Sequence, residues 1–269
     1  MTSTKKQNPT IKVIGIGEKM QNTLSSLQTE TNAQVQLITK AEELEKLKKS
    51  TLATCVNLLL IITLTDDEYM DWANDLAGSH KNPERLTLGI LITDNADSNN
   101  NESDFDGIFQ IKRDDLSSNA SYSNKIFTLV NELSRISSIN GYINIDLEDV
   151  KICLKNAASS ALTTAKASGN NRAKHTITKA VDQLTKEHNA IKYANNILLN
   201  IYSGKKEANM LEISAIIDYI HDFCLDEKVD VMWGIAHDES LTNELCITLI
   251  ASSAEQELDK PNKCTSIDE

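Results

Sequence analysis

Short, dense apolar runs alternate with amphipathic stretches through the first half of the chain. Ile11-Lys12-Val13-Ile14-Gly15-Ile16-Gly17 is β-branched and closes on glycines, which reads as a buried parallel strand. Helical spacing follows over Met20–Leu27. A second short strand at Val35–Ile38 precedes a charged surface helix at Ala41–Lys49. The run from Cys55 to Thr63 is too apolar for a half-exposed strand and belongs at the centre of a sheet. Asp66–Ala77 puts acids first and Met70, Ala73 and Leu76 on one face, so a helix is expected, its first turn favoured by Asp66, Asp67 and Glu68. Leu86–Thr93 and Gly107–Lys112 are further buried strands, separated by a polar loop at Ala96–Phe105. Strands alternating with helices predict a doubly wound, mostly parallel, Rossmann-like sheet.

The pattern then changes. Tyr122–Ile139 carries Ile126, Val130, Leu133 and Ile136 at three- and four-residue spacing, a long amphipathic helix. Beyond Gly141 come helices near Leu147–Ala157, Arg172–Leu184 and Leu211–Phe223. They are interleaved with strands near Ala161–Ala167 and Asn196–Tyr202, and with strands Val229–Ala236 and Glu244–Ser252, expected to pair. The division expected is a polar tail at 1–10, a Rossmann-like domain at 11–118, a central helix at 119–140, an α+β domain at 141–254 and a polar tail at 255–269.

Composition narrows the function. Lysine and arginine total 27 against 39 acids, a net charge of −12, which disfavours nucleic-acid and anionic-membrane partners. No apolar run reaches the ~18 residues of a membrane span, and the lysines of the N-terminal segment precede no apolar stretch, so a cytoplasmic protein is expected. Five scattered cysteines without a CxxC pair read as small buried residues in a reducing compartment. The histidines show no ligand spacing, so no metal site is expected.

Four segments, in order, carry a family resemblance. Gly141-Tyr142-Ile143-Asn144-Ile145-Asp146-Leu147-Glu148-Asp149-Val150 resembles the GLINLDFADV segment of bacterial FtsZ, the tubulin-like cell-division GTPase. Ala167–Ala173 resembles ASGENRA, Ile197–Ile201 resembles VLLNI, and Trp233–Leu241 resembles FGAVIDESL; together they span roughly residues 120–255. The N-terminal half matches only in its strand pattern and in Lys12–Gly17. The resemblance implies a tubulin/FtsZ-like α/β fold with a mixed four-stranded sheet in the C-terminal domain. It also implies that Asn144, Asp146 and Asp149 lie in a loop that reaches a neighbouring subunit's GTP, where carboxylates orient the attacking water. The same residues suit a second role, Asn144 and Asp146 capping the helix that follows.

Against this, the phosphate-binding side is degraded. Phosphate cradles need glycines, whose bare backbone lets N–H groups approach the anion. The chain has nine glycines, no two adjacent. The family's first cluster is reduced to Gly15-Ile16-Gly17, followed by Glu18. Where the tubulin signature GGGTGTG belongs, the chain reads Leu64-Thr65-Asp66-Asp67-Glu68-Tyr69, with acids on the positive end of a helix. The glycine-rich loop between the second and third strands is replaced by Ala41–Lys49. Gly15 and Gly17 are thus a degenerate nucleotide contact, and as a dinucleotide fingerprint they fail because the third position is Met20. The expectation is a pseudo-GTPase that modulates FtsZ-type filaments, completing a neighbour's site without a self-contained GTPase activity. Its partners are FtsZ-type subunits or itself along the filament axis, with no nucleic acid and no direct membrane contact. No cofactor is assigned, GTP being the candidate. The alternatives are a divergent GTPase that binds GTP and self-polymerises, and a nucleotide-independent filament or dimer.

Overall fold

The computed structural model describes residues 10–31, 33–50, 56–65, 67–93, 103–112, 120–139, 141–154, 157, 159–187, 192–224 and 228–253. Residues 1–9 and 255–269 of the polar tails, Cys55, Cys264, Asp66 and most of the 96–105 loop therefore lie outside the described residues, and Thr10, expected in the first tail, begins the first strand.

The first half is β1 (Thr10–Ile16), α1 (Gln21–Glu30), β2 (Gln34–Ile38), α2 (Ala41–Lys49), β3 (Val56–Leu64), α3 (Asp67–Ser79), β4 (Leu86–Thr93) and β5 (Gly107–Lys112). These strands are all parallel, in the order β2-β1-β3-β4-β5. Alternation sorts their side chains onto two faces. Ile11, Val13, Leu58, Leu60 and Ile62 face α1 and α4 (Ala120–Ser138); Ile14, Ile16, Leu59 and Ile61 face α2 and α3. Both faces are covered by helices, which is why these strands read as continuous apolar runs.

The second half contains β6 (Gly141–Ile143), α5 (Leu147–Leu154), β7 (Ser159–Ala167), α6 (Arg172–Glu187), β8 (Asn196–Ser203), α7 (Met210–Phe223), β9 (Asp230–His237) and β10 (Leu245–Ser253). Its strand order is β7-β10-β8-β9-β6, a mixed four-stranded sheet extended by β6. One face packs α6 and α7 through Ile177, Ile201, Ile216 and Ile247. The other gives Leu198 and Ile250 to the core around α4, so the central helix is shared by both halves.

Two expectations are corrected. The segments at 229–236 and 244–252 do not pair: β8 lies between them, parallel to β9 and antiparallel to β10. Both flanking strands are apolar enough for either arrangement, and β8, with seven of eight positions buried, takes the central place. The expected four-stranded sheet also gains β6, a strand that periodicity does not reveal because three residues are too few to show alternation, while α5 is described over Leu147–Leu154, residues 155 and 156 lying outside the described residues.

Candidate functional site

Two regions lie at opposite ends of the N-terminal strands. In the order β2-β1-β3-β4-β5 the connections reverse direction between β1 and β3, and ligands of doubly wound sheets bind outside the strand carboxyl ends at such a point. Gly17 ends β1 there, with φ of 97°, its N–H donating to the Ile38 carbonyl at 2.9 Å. A side chain at Gly17 would meet Tyr69: a Cβ would lie 3.0 Å from its ring Cε2. The Tyr69 ring, in the first turn of α3, stands edge-on to Trp72 and packs against the apolar cluster shared by β1, β3, α2 and α3. The crevice therefore has an aromatic ring at the position where the bare backbone of a phosphate loop would face its anion. Gly15 is explained by packing, since a Cβ there would lie 2.5 Å from Leu24 Cδ1 of α1. Glu18 is exposed beside this crevice, and α3 opens with Asp67 and Glu68. At the same edge the hydroxyls of Thr23 and Ser123 are 2.8 Å apart and draw α1 against the start of α4.

Helix α4 has 19 residues, so it carries the chain roughly 28 Å to the opposite edge at ~1.5 Å per residue. There the 141–150 loop begins. Gly141 must be glycine, because a Cβ would lie 2.1 Å from the Ile235 carbonyl of β9. Its N–H donates to Asn144 Oδ1 at 2.7 Å, and buried Ile145 anchors the loop against Gly234. Asp146 Oδ1 accepts from the N–H groups of Glu148 and Asp149 at 2.9 and 3.2 Å, while Asp149 Oδ2 accepts from the Asp146 N–H at 2.8 Å. This is a reciprocal capping box built from two aspartates. Asn144, Asp146 and Asp149 are thus brought together by local bonds, with Asn144 and Asp146 exposed and Asp149 partly so. Gly15 and Gly17 are not part of this group. Lys151 of α5 donates to the Pro83 carbonyl at 2.5 Å, which fixes the loop at the amino edge of the N-terminal strands.

Exposed apolar side chains not expected from the sequence occur in the loop and at the start of α7. Tyr142 is 70% exposed, Ile143 42%, Met210 71% and Leu211 83%. Tyr142 Oη donates to Glu207 Oε1 at 3.0 Å, tying the loop to the segment that enters α7; the carboxylate raises the phenol's pKa. That segment is organised by Arg172, which is fully buried. Its guanidinium donates to both Glu212 oxygens at 2.7 and 2.9 Å and to the carbonyls of Lys206, Glu207 and Asn243 at 2.8–3.1 Å. Glu212 in turn completes a capping box with Asn209 at the start of α7, and Arg172 holds its carboxyl below the usual carboxylate range. The NRA triplet was the sequence signal for this arginine. Met210 and Leu211 signalled themselves only as an apolar pair directly after an Asn cap.

A third polar cluster is structural. Arg135 of α4 pairs with Asp238 and lies 3.6 Å over the Tyr202 ring. Burial opposes charge on Asp238, but the Ser240 bonds and Arg135 outweigh it and keep the carboxyl below its ordinary value. The segment resembling FGAVIDESL thus locks β9 to the central helix. Cys153, Cys224 and Cys246 are buried and unbridged, and burial pushes the Cys153 thiol up to about 12.

Comparison with known proteins locates the likeness in the second half of the chain. Residues 158–255 match the FtsZ family C-terminal domain. A curated relative, cell division protein FtsZ of Azotobacter vinelandii, is 31% identical over 134 residues, half of this chain and 34% of the relative. The second half of the chain is thus similar to FtsZ. The matched stretch spans about a third of that relative's length. Among solved structures, the FtsZ-like chain superposes on FtsZ of M. jannaschii with a TM-score of 0.67 at 15% identity, over 91% of each chain. CetZ2 of Haloferax volcanii, solved as a GTPγS-bound protofilament, gives 0.63 at 14% identity over 92% and 94% of the two chains. TubZ of Bacillus thuringiensis serovar israelensis, in GDP-form protofilaments, gives 0.66 at 10% identity over 91% and 84%. The fold is that of FtsZ and its tubulin-like relatives.

Proposed function

We propose that this FtsZ-like chain is a pseudo-GTPase that binds the GTP-bearing face of an FtsZ-type subunit through its 141–150 edge and modulates the filament. The observation that carries the reading is the Tyr69 ring packed against Gly17 at the sheet's switch point, with no glycine cluster to replace it. The opposite end supports it: the exposed carboxylates share their loop with the solvent-facing apolar side chains Tyr142 and Ile143, a composition suited to a contact face. In that contact Asp146 and Asp149 each use one oxygen for the capping box and keep the second for a partner's water. Asn144, held by the Gly141 N–H, sets the loop's conformation. Carboxylates so placed orient and polarise the water that attacks the terminal phosphate.

The test pairs calorimetry with a polymer assay. Titration with GTP and magnesium gives no micromolar binding, while the protein at substoichiometric ratio changes GTP turnover or polymer mass of an FtsZ-type partner. Micromolar GTP binding overturns the pseudo-GTPase reading, and an unchanged effect from Asp146→Ala plus Asp149→Ala overturns the role of the loop. A second reading, nucleotide-independent self-association along the same axis, is favoured by the apolar surface alone. It predicts sedimentation of a dimer or larger species that is indifferent to GTP.

A further inference from the structure

The two halves of the ten-stranded sheet are stitched at one place. β5 and β7 share a single ladder position, Phe109 opposite Ser160, although β5 continues to Lys112 and β7 to Ala167. Beyond that position a cavity of about 610 Å³ opens between them, walled by the first half of α4 and the last turns of α6. Its size falls within the ~300–1,000 Å³ of small-molecule sites. Its chemistry is unlike the rest of the molecule. In a chain with 39 acids and 27 bases, the described residues lining it include Lys112, Lys125 and Lys186 and no acid. Leu129 and Leu162 supply apolar wall. Ser160, also in the lining, is 1% exposed, and its buried hydroxyl has no hydrogen-bond partner among the described residues.

We propose that this cavity binds a small organic anion, an apolar body of one or two rings carrying a single sulfonate, phosphate or carboxylate. The ammonium groups of Lys112 and Lys186 receive the charge and Leu129 and Leu162 the body. None of the lining residues belongs to the 141–150 loop or to the β1/β3 crevice, so the inference stands apart from the proposed function. A ligand seated there would touch both halves and would resist their separation.

The probe is 8-anilinonaphthalene-1-sulfonate, with uncharged N-phenyl-1-naphthylamine as its neutral counterpart, titrated by fluorescence into the full chain. Expected is saturable one-site binding of the sulfonate, at least tenfold tighter than the neutral dye. Lys112→Glu with Lys186→Glu, both on exposed side chains and monitored for folding by circular dichroism, weakens it at least tenfold. Absence of saturable binding, equal affinity for the neutral dye, or affinity unchanged in the double variant each overturns the proposal.

Discussion

Asp146 performs two separable jobs under the proposed reading, and one substitution pair tells them apart. As N-cap it accepts two backbone N–H groups, and Asp149 returns the bond to its own N–H. Removing an N-cap acceptor costs about 1 kcal/mol, within roughly 0.5–2, and losing an exposed acid at a helix N-terminus costs a further ~0.3–1. Asp146→Ala loses both and should destabilise by about 1–2 kcal/mol. Asp146→Asn keeps an equivalent acceptor and loses only the charge, so about 0.3–1 is expected. Helix α5 has eight residues and buries Val150, Cys153 and Leu154, so the cost registers in global unfolding and urea titration by circular dichroism can read it. If the carboxylate acts on a partner's GTP, the ranking changes in the turnover assay. Asn then fails as completely as Ala despite its better stability, because neither side chain polarises a water as a carboxylate does. Positioned general-base groups contribute roughly 10²–10⁴-fold. Asp146→Asn that retains the full effect on FtsZ-type polymers would refute the chemical role. Asp146→Ala that costs less than ~0.3 kcal/mol would refute the capping argument.

Three other outcomes are expected. Arg172→Ala strands the Glu212 carboxylate and three carbonyls, and should cost about 3–5 kcal/mol in urea unfolding; Arg172→Lys recovers little, because an ammonium cannot reproduce the bidentate fork. Gly141→Ala drives a Cβ into the Ile235 carbonyl and should destabilise by roughly 1–3 kcal/mol, with hydrogen exchange accelerated first in β6 and the 141–146 segment. Glu244 has its carboxyl held down to about 2 by the Thr242 N–H and hydroxyl, against an ordinary 4.5. A depressed folded value stabilises above the unfolded one, so that contribution is complete above pH 4.5 and vanishes as pH falls towards 2. Glu244→Gln should flatten the acid limb of the stability–pH curve over that window.

The strands were legible because burial on both faces leaves uninterrupted apolar runs: 86–93 and 107–112 coincide with β4 and β5. The helices were legible from period and charge, and 41–49 coincides with α2. Pairing was not, since β8, β9 and β10 are each too apolar to declare a neighbour, and a non-local ladder leaves no trace in local pattern. At the candidate site, the D-x-x-D spacing of Asp146 and Asp149 announced the cap. What filled the other edge was hidden. Tyr69 lies 52 positions from Gly17, and only the fold brings its ring to that glycine. The NRA triplet marked Arg172, but its role was hidden, because a fully buried arginine is uncommon and its partners come from two distant segments, 206–212 and 243–244.

The two edges have opposite consequences for assembly. A head-to-tail filament grows because each subunit presents two different, complementary faces. Here one edge keeps exposed carboxylates and apolar side chains, and the other has Tyr69 packed on Gly17 with Glu18 beside it. Under the proposed reading such a subunit joins a filament by one face and offers no GTP to the next. Its effect must then scale with the number of filament ends rather than with total polymerised subunits. Shearing a fixed mass of partner polymer into shorter pieces should raise the amount of this protein needed for half-maximal effect in proportion to the ends created. A requirement that tracks polymer mass and ignores length would instead place it along the filament sides, and the 141–150 edge would lose its assigned part.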